Sequence, residues 1–222
     1  MSETGRTMKY LIAVPCMSMV HTDFMNSLLG LRRTGEPHIA TSVNSLIYDS
    51  RNTFSARACE EYDRVLFLDS DMVIPNDAMQ RLAEDMDEGR DFVSGIYFAR
   101  KLPTAPIVYS KVEYGTAEDG TLKACAEHYR DYPRDSLFEV AGCGMGCTMI
   151  STDLLKKVWA KYGPPFDPLT QLGEDLSFCL RVTELGCKIW CDSRVKCGHV
   201  GNYTFNEATF LAQQAAQNGR TV

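Results

Sequence analysis

No stretch of this chain approaches the roughly 18 uninterrupted apolar residues that a membrane-crossing helix needs, and its first seven residues are polar rather than signal-like. Together these absences argue against a helical membrane span and lead us to expect a cytoplasmic protein. There is no excess of positive charge: 23 Lys and Arg against 29 Asp and Glu leave a formal net charge of −6. A broad duplex-binding surface is thereby disfavoured, because phosphate neutralisation needs clustered cations. The cations are instead spread along the chain, with adjacent pairs such as Arg32-Arg33 and Arg100-Lys101, so a local basic groove stays open. Nor is there disulfide-scaffold spacing, since the nine cysteines are odd in number and scattered among strand-like segments. That usage suits a reducing compartment and small buried hydrophobes. Internal repeats and low-complexity tracts are also missing.

What is present fits one globular core. The 222 residues are too few for two ordinary domains plus a linker, and 45% apolar with 23% charged content excludes disorder and fibrous classes. Residues 10–15 have the length and content of a buried parallel strand that Pro15 ends. A helix is expected over 23–31, a short strand over 38–43, and a second helix from a Ser50 cap through Phe54, Ala58 and Cys59. Residues 64–68 form the most strand-like run; Pro75-Asn76-Asp77 opens a helix that Gly89 closes, and 92–97 give a further strand. Strand–helix alternation of this kind predicts a mainly parallel sheet with helices on both faces.

Beyond Phe98 the pattern becomes irregular, with Pro103, Pro106 and a hairpin candidate at Glu118-Asp119-Gly120. Residues 98–105 are expected to close over a bound ligand. Strands at 137–140 and 147–150 bracket a glycine-rich turn, and Thr152 is expected to cap a helix reaching Tyr162. The clearest amphipathic helix runs over 174–185, with Leu176, Cys179, Leu180 and Thr183 on one face and Gly186 as its stop. Strands near 188–190 and 195–197 precede a polar C-terminal helix beginning at Asn206.

The chemistry concentrates at Asp69-Ser70-Asp71. Ligands of open α/β sheets bind beyond the carboxyl ends of strands, and these residues directly follow the apolar Leu66-Phe67-Leu68. Two Asp one residue apart can offer oxygens to one hard cation, Mg²⁺ or Mn²⁺, which would bridge diphosphate oxygens. The plainer alternative is a pair of solvated turn aspartates.

Several segments, taken in order, resemble glycosyltransferases of the GT-A fold, particularly inverting family 2. The run from Arg64 through Asp69-Ser-Asp71 to Pro75 is similar to the family's apolar strand, Asp-x-Asp motif and helix start. Gly142-Cys-Gly-Met-Gly-Cys-Thr-Met-Ile resembles its glycine-rich strand. Phe166-Asp167, Gly173-Glu-Asp-Leu-Ser-Phe-Cys-Leu-Arg181, Gly186-Cys-Lys-Ile-Trp190 and a strand ending at His199 resemble its Glu-Asp helix and closing histidine. The Gln-x-x-Arg-Trp motif of processive synthases is absent, which argues against polymerising activity.

The resemblance implies a single GT-A domain over residues 1–222, Rossmann-like, with a donor-binding half at about 8–100, an acceptor-side half at about 101–203 and a C-terminal helix over 204–222. It implies metal-dependent transfer with inversion, the family's own chemistry, from a nucleotide-sugar, first of all a uridine diphosphate sugar. In this reading Asp69, Asp71 and His199 hold the metal, and the imidazole tilts the choice toward Mn²⁺. Spacing alone would make His199 an ordinary hydrogen-bonded histidine. Asp175 matches the catalytic base, with Glu174 second, although acids also simply decorate helix starts. There the helix dipole lowers basicity while burial beside Glu174 raises it. Pro15 and Cys16 fall where the family's nucleotide base sits. Arg51 and Asn52, at a helix start, reach toward the nucleotide or lie on the surface. Gly144, in the turn over 142–146, either admits the sugar or acceptor closely or makes a tight bend. The acceptor stays open: a saccharide, a lipid-linked sugar, a protein or a modified nucleobase.

Two rival readings accompany this one. A phosphatase of the haloacid dehalogenase type would use Asp69 as nucleophile, but that residue normally lies on the chain's first strand. A non-catalytic zinc- or sugar-binding module would draw on Cys187, Cys191, Cys197 and His199, whose spacing departs from paired zinc patterns.

Overall fold

The computed structural model describes residues 6–116, 120–201 and 204–218. Its first half alternates strand and helix: β1 (Lys9–Pro15), α1 (Thr22–Leu29), β2 (Glu36–Ser42), α2 (Ile47–Glu61), β3 (Arg64–Leu68), β4 (Met72–Val73), α3 (Ala78–Asp87) and β5 (Phe92–Ile96). A strand-rich stretch follows, with β6 (Val108–Thr116), β7 (Leu122–His128), β8 (Leu137–Val140), β9 (Gly142–Cys143) and β10 (Cys147–Ser151). The chain then returns through α4 (Thr152–Tyr162), α5 (Glu174–Glu184), β11 (Ile189–Lys196), β12 (Gly198–Val200), β13 (Thr204–Phe205) and α6 (Glu207–Asn218). Among the described residues no helix is long and apolar enough to cross a membrane.

Seven strands form the central sheet, in the order β2-β1-β3-β10-β5-β11-β8. Five run in one direction; β10, between β3 and β5, and β8 at the edge run against them. Alternation along each strand splits the core between the two faces. Leu11, Ala13, Val65 and Phe67 pack with Phe54 and Ala58 of α2, Leu154 and Val158 of α4 and Phe178 of α5. Tyr10, Ile12, Leu66 and Leu68 pack on the other face with Phe24 of α1 and Met79, Leu82 and Met86 of α3.

Local signals explain most boundaries and correct a few expectations. α2 starts at Ile47, after Leu46 and without a side-chain cap, so Ser50 lies inside the helix, where its hydroxyl accepts from Ser42 Oγ at 2.8 Å. α4 is capped by Ser151, whose Oγ accepts from Leu154 N at 3.1 Å, rather than by Thr152. On α5 the buried residues are Leu176, Ser177, Phe178, Cys179, Arg181 and Val182; Leu180 is only half-buried and Thr183 is exposed. The two strands expected over 188–197 are one, β11, with an irregularity between Asp192 and Lys196. Past residue 98 the chain is more regular than its composition suggests, because β6 and β7 pair as a long antiparallel hairpin. Glu118 and Asp119 at its tip lie outside the described residues.

Candidate active site

A small second sheet builds the site. Past β3 the chain turns through Asp69-Ser70-Asp71 into β4, and β12 pairs antiparallel with β4, setting His199 opposite Met72. Val200 N donates to Asp71 O at 2.7 Å, so His199 is locked beside Asp71. The His199 Nδ1 lies 2.8 Å from the Phe98 carbonyl oxygen, which can only accept. Nδ1 therefore donates there, and Nε2 faces Asp71 Oδ1 at 3.6 Å. Arg100 Nη1 takes the other carboxylate oxygen, Asp71 Oδ2, at 2.6 Å. Burial acts to raise the Asp71 carboxyl, but the His199 imidazole and the Arg100 guanidinium outweigh it and hold the group below its ordinary range.

Asp69 has a different partner. Arg51, one turn into α2 and only 2% exposed, donates from Nη2 to Asp69 Oδ1 at 2.8 Å and from Nε to Glu174 Oε1 at 3.3 Å. Its guanidinium lies over the Phe67 ring, and Nη1 is buried with no hydrogen-bond partner among the described residues. Burial opposes the Arg51 charge, yet Asp69 and Glu174 more than compensate, and its pKa is raised. One buried cation thus ties the end of β3 to the start of α5.

Asp175 follows Glu174 in the first turn of α5. Its Oδ1 accepts from Leu176 N at 2.7 Å, and Gly173 leaves room for it, because a Cβ there would stand 2.8 Å from that oxygen. The carboxyl is pushed up to about 6, by burial first and Glu174 second, against the Leu176 N–H and Arg51. Of the two opposed influences expected at this helix start, burial wins.

The glycine-rich turn serves the site through its backbone. Gly146 O accepts from Asp69 N at 3.0 Å, and Gly146 N donates to Tyr97 Oη at 3.3 Å. Tyr97 and Ile107 fill the space beside Gly144, so this residue is a packing glycine against a phenol rather than an opening for a ligand. Pro15, Cys16, Ser70, Asp69, Asp71 and His199 line a cavity of about 310 Å³ together with Tyr97 and Arg100. Asn52 points elsewhere: it donates to Asp167 Oδ1 and accepts from Phe166 N, both at 2.8 Å, and pins that loop. Glu174, Asp175 and Gly144 stand outside the cavity lining.

Comparison with solved structures gives three informative likenesses. The crystal structure of A197 from STIV matches with a TM-score of 0.62 at 23% identity, covering 87% of this chain and 86% of that one. GalNAc-T7 with UDP, GalNAc and Mn²⁺ matches at 0.59 and 9% identity over 89% of this chain, which spans under half, 45%, of it. CMP:2-keto-3-deoxy-manno-octonic acid synthetase complexed with CTP matches at 0.50 and 12% identity, covering 96% and 100%. The fold is GT-A-like. No protein-family model and no curated protein matches the sequence.

Within this GT-A-like frame, three residues of the site were missed by sequence reading. Arg100 and Tyr97 end the β5 segment without a motif of their own. Tyr109 on β6, its phenol pushed up to about 12 by burial and then by Asp175, arrives through the β6–β9 pairing. Alternate glycines at 142, 144 and 146 were the available signal that something packs tightly there. Among the described residues no three His, Cys, Asp or Glu side chains form a ready metal cage. Among the described residues Cys187, Cys191, Cys197 and His199 do not gather as a metal-holding group, which counts against the zinc alternative.

Proposed function

We propose that this protein transfers a sugar from a nucleotide-sugar donor to an acceptor hydroxyl, with Mn²⁺ or Mg²⁺ held by Asp69, Asp71 and His199. The observation that carries this reading is the His199 Nε2 atom, aimed at Asp71 Oδ1 from 3.6 Å at the cavity rim while Nδ1 is tied to the Phe98 carbonyl. Two carboxylates and one imidazole nitrogen are a donor set that suits Mn²⁺. When bound, the cation would neutralise charge on the diphosphate leaving group.

The chain's own residues do the rest. Arg51 fixes Asp69 and Glu174 relative to one another. Pro15, Cys16 and Ser70 line the donor side, within the half at about 8–100. Asp175, with Glu174 as second candidate, takes the acceptor's proton as the new glycosidic bond forms and the bond to the nucleotide diphosphate breaks. A carboxyl raised to about 6 remains ionised at neutral pH and is more basic than an ordinary aspartate. Attack from the face opposite the leaving group inverts the anomeric configuration. The acceptor, a saccharide, lipid-linked sugar, protein or modified nucleobase, approaches from the half at about 101–203.

Thermal unfolding with nucleoside diphosphates, each with and without Mn²⁺, tests this reading, with UDP first because the GalNAc-T7 structure holds UDP and Mn²⁺. A ligand at 100 times its Kd adds about 2.7 kcal/mol of stability. UDP with Mn²⁺ should raise the midpoint, and Asp71→Asn should lose the metal-dependent part while still unfolding cooperatively. No shift with any diphosphate, or a shift indifferent to metal, overturns the reading.

A further inference from the structure

The two site aspartates are neutralised by cations of opposite character. Asp69 is held by Arg51, whose side chain is 2% exposed, anchored to Glu174 and unable to leave. Asp71 is held by Arg100, whose side chain is 48% exposed and which, among the described residues, otherwise makes a long bond of 3.4 Å to Val200 O. The backbone beneath Arg100 is fixed. Ala99 N donates to Ala105 O at 2.9 Å, Thr104 Oγ1 donates to Ala99 O at 2.7 Å, and Thr104 N donates to Gln213 Oε1 of α6 at 2.7 Å. Residues 99–105 are therefore hydrogen-bonded across their neck and to the C-terminal helix, so the Arg100 side chain can swing without those bonds breaking.

We propose that Arg100 is a releasable counter-ion that competes with the divalent cation for Asp71 and moves onto the donor's diphosphate when that cation binds. This rests on the metal-dependent reading of the site given above. Asp71 Oδ2 already carries a guanidinium at contact distance, and a divalent cation at the same carboxylate would stand close to that positive charge and repel it. A diphosphate offers the displaced guanidinium a planar, bidentate partner, which a fork of N–H donors matches well. Metal and nucleotide then favour each other's binding, and by linkage the favour is reciprocal. Arg100 also sits two residues after Phe98, whose carbonyl orients His199. The same short segment thus aims the imidazole and supplies the competing cation.

Isothermal titration of Mn²⁺ into the wild type, Arg100→Gln, Lys101→Gln and Asp71→Asn, each with and without UDP, tests the proposal. Arg100→Gln should bind Mn²⁺ alone about two- to fivefold more tightly, the worth of a half-exposed ion pair. It should bind UDP in the presence of Mn²⁺ about tenfold more weakly, the worth of a charge-assisted hydrogen bond. Lys101→Gln, a neighbouring exposed charge, should match the wild type in both, which separates a specific partner from a general field. Binding that needs Asp71 but is the same in Arg100→Gln as in the wild type overturns this inference and leaves the metal reading standing. No binding of Mn²⁺ or UDP by the wild type overturns the metal reading, and this inference with it.

Discussion

Asp175 and Arg51 show how much a single position changes a side chain's chemistry. Asp175 has Glu174's charge and burial acting in one direction, and Leu176 N–H and Arg51 in the other, with Asp69, Tyr97 and Tyr109 close by. Its net shift to about 6 predicts turnover that rises with pH through that value, as the carboxyl ionises and becomes able to accept a proton. Asp175→Asn should lower kcat by about 10² to 10⁴ with donor affinity nearly unchanged, and should abolish the rise near pH 6. A weakened donor Kd with unchanged kcat would make Asp175 a binding residue instead. Product analysis by nuclear magnetic resonance completes the test, since retained configuration in the first-formed product excludes the single displacement.

Arg51 is a positioning residue, and its removal leaves Asp69 and Glu174 without their shared cation. A fully buried pair broken in this way costs about 3–5 kcal/mol. Because both carboxylates keep some access to water, Arg51→Met should cost about 1–3 kcal/mol in urea unfolding. Arg51→Lys should recover little of this, since an ammonium lacks the fork that reaches both partners. Stability within about 0.5 kcal/mol of wild type for Arg51→Met would show that the cluster holds nothing together. Sequence reading placed Arg51 at a helix start because Ser50 has the composition of a cap. The helix begins one turn earlier, and that turn moves Arg51 from an edge to the interior.

At the level of elements, α3 and β11 meet through a second acidic pair remote from the cavity. Arg194 Nη2 donates to Asp85 Oδ1 at 2.9 Å and its Nε to Asp192 Oδ1 at 2.7 Å. The other oxygen of each carboxylate, Oδ2, is buried without a partner among the described residues. Burial, and then the charge and hydrogen bond of Asp192, push the Asp85 carboxyl up to about 6, while Arg194 and Arg90 oppose the shift. A proton on Asp85 removes its repulsion with the neighbouring Asp192 carboxylate. The folded pKa lies above the ordinary value of 3.8, so this contribution to stability is fully present below about pH 4 and is lost as pH rises through about 6. Asp85→Asn supplies a permanent N–H in place of that proton. It should be more stable than wild type by about 1 kcal/mol at pH 7.5, with the gain gone by about pH 4.5. Thermal unfolding across that range checks it, and a variant less stable at pH 7.5 than at pH 4.5, relative to wild type, refutes a raised Asp85 carboxyl.

Across the whole molecule, the sequence by itself determined what contiguous residues can encode. The runs over 10–15 and 64–68 predict buried strands, helical periodicity over 174–185 predicts α5, and Asp69 and Asp71 are placed at a sheet edge by the strand directly before them. Tertiary structure alone decided the partners. The antiparallel insertion of β10 beside β3, the β4–β12 pairing that sets His199 against Asp71, the burial of Arg51 and the salt bridge of Arg100 all join residues far apart in the chain. The same holds for Gly144, which in sequence reads as either a close approach or a tight bend and which in the fold packs against the Tyr97 phenol. The reason is physical: periodicity and burial of an element depend on its own side chains, whereas the charge state and reach of a site residue depend on what the fold packs against it.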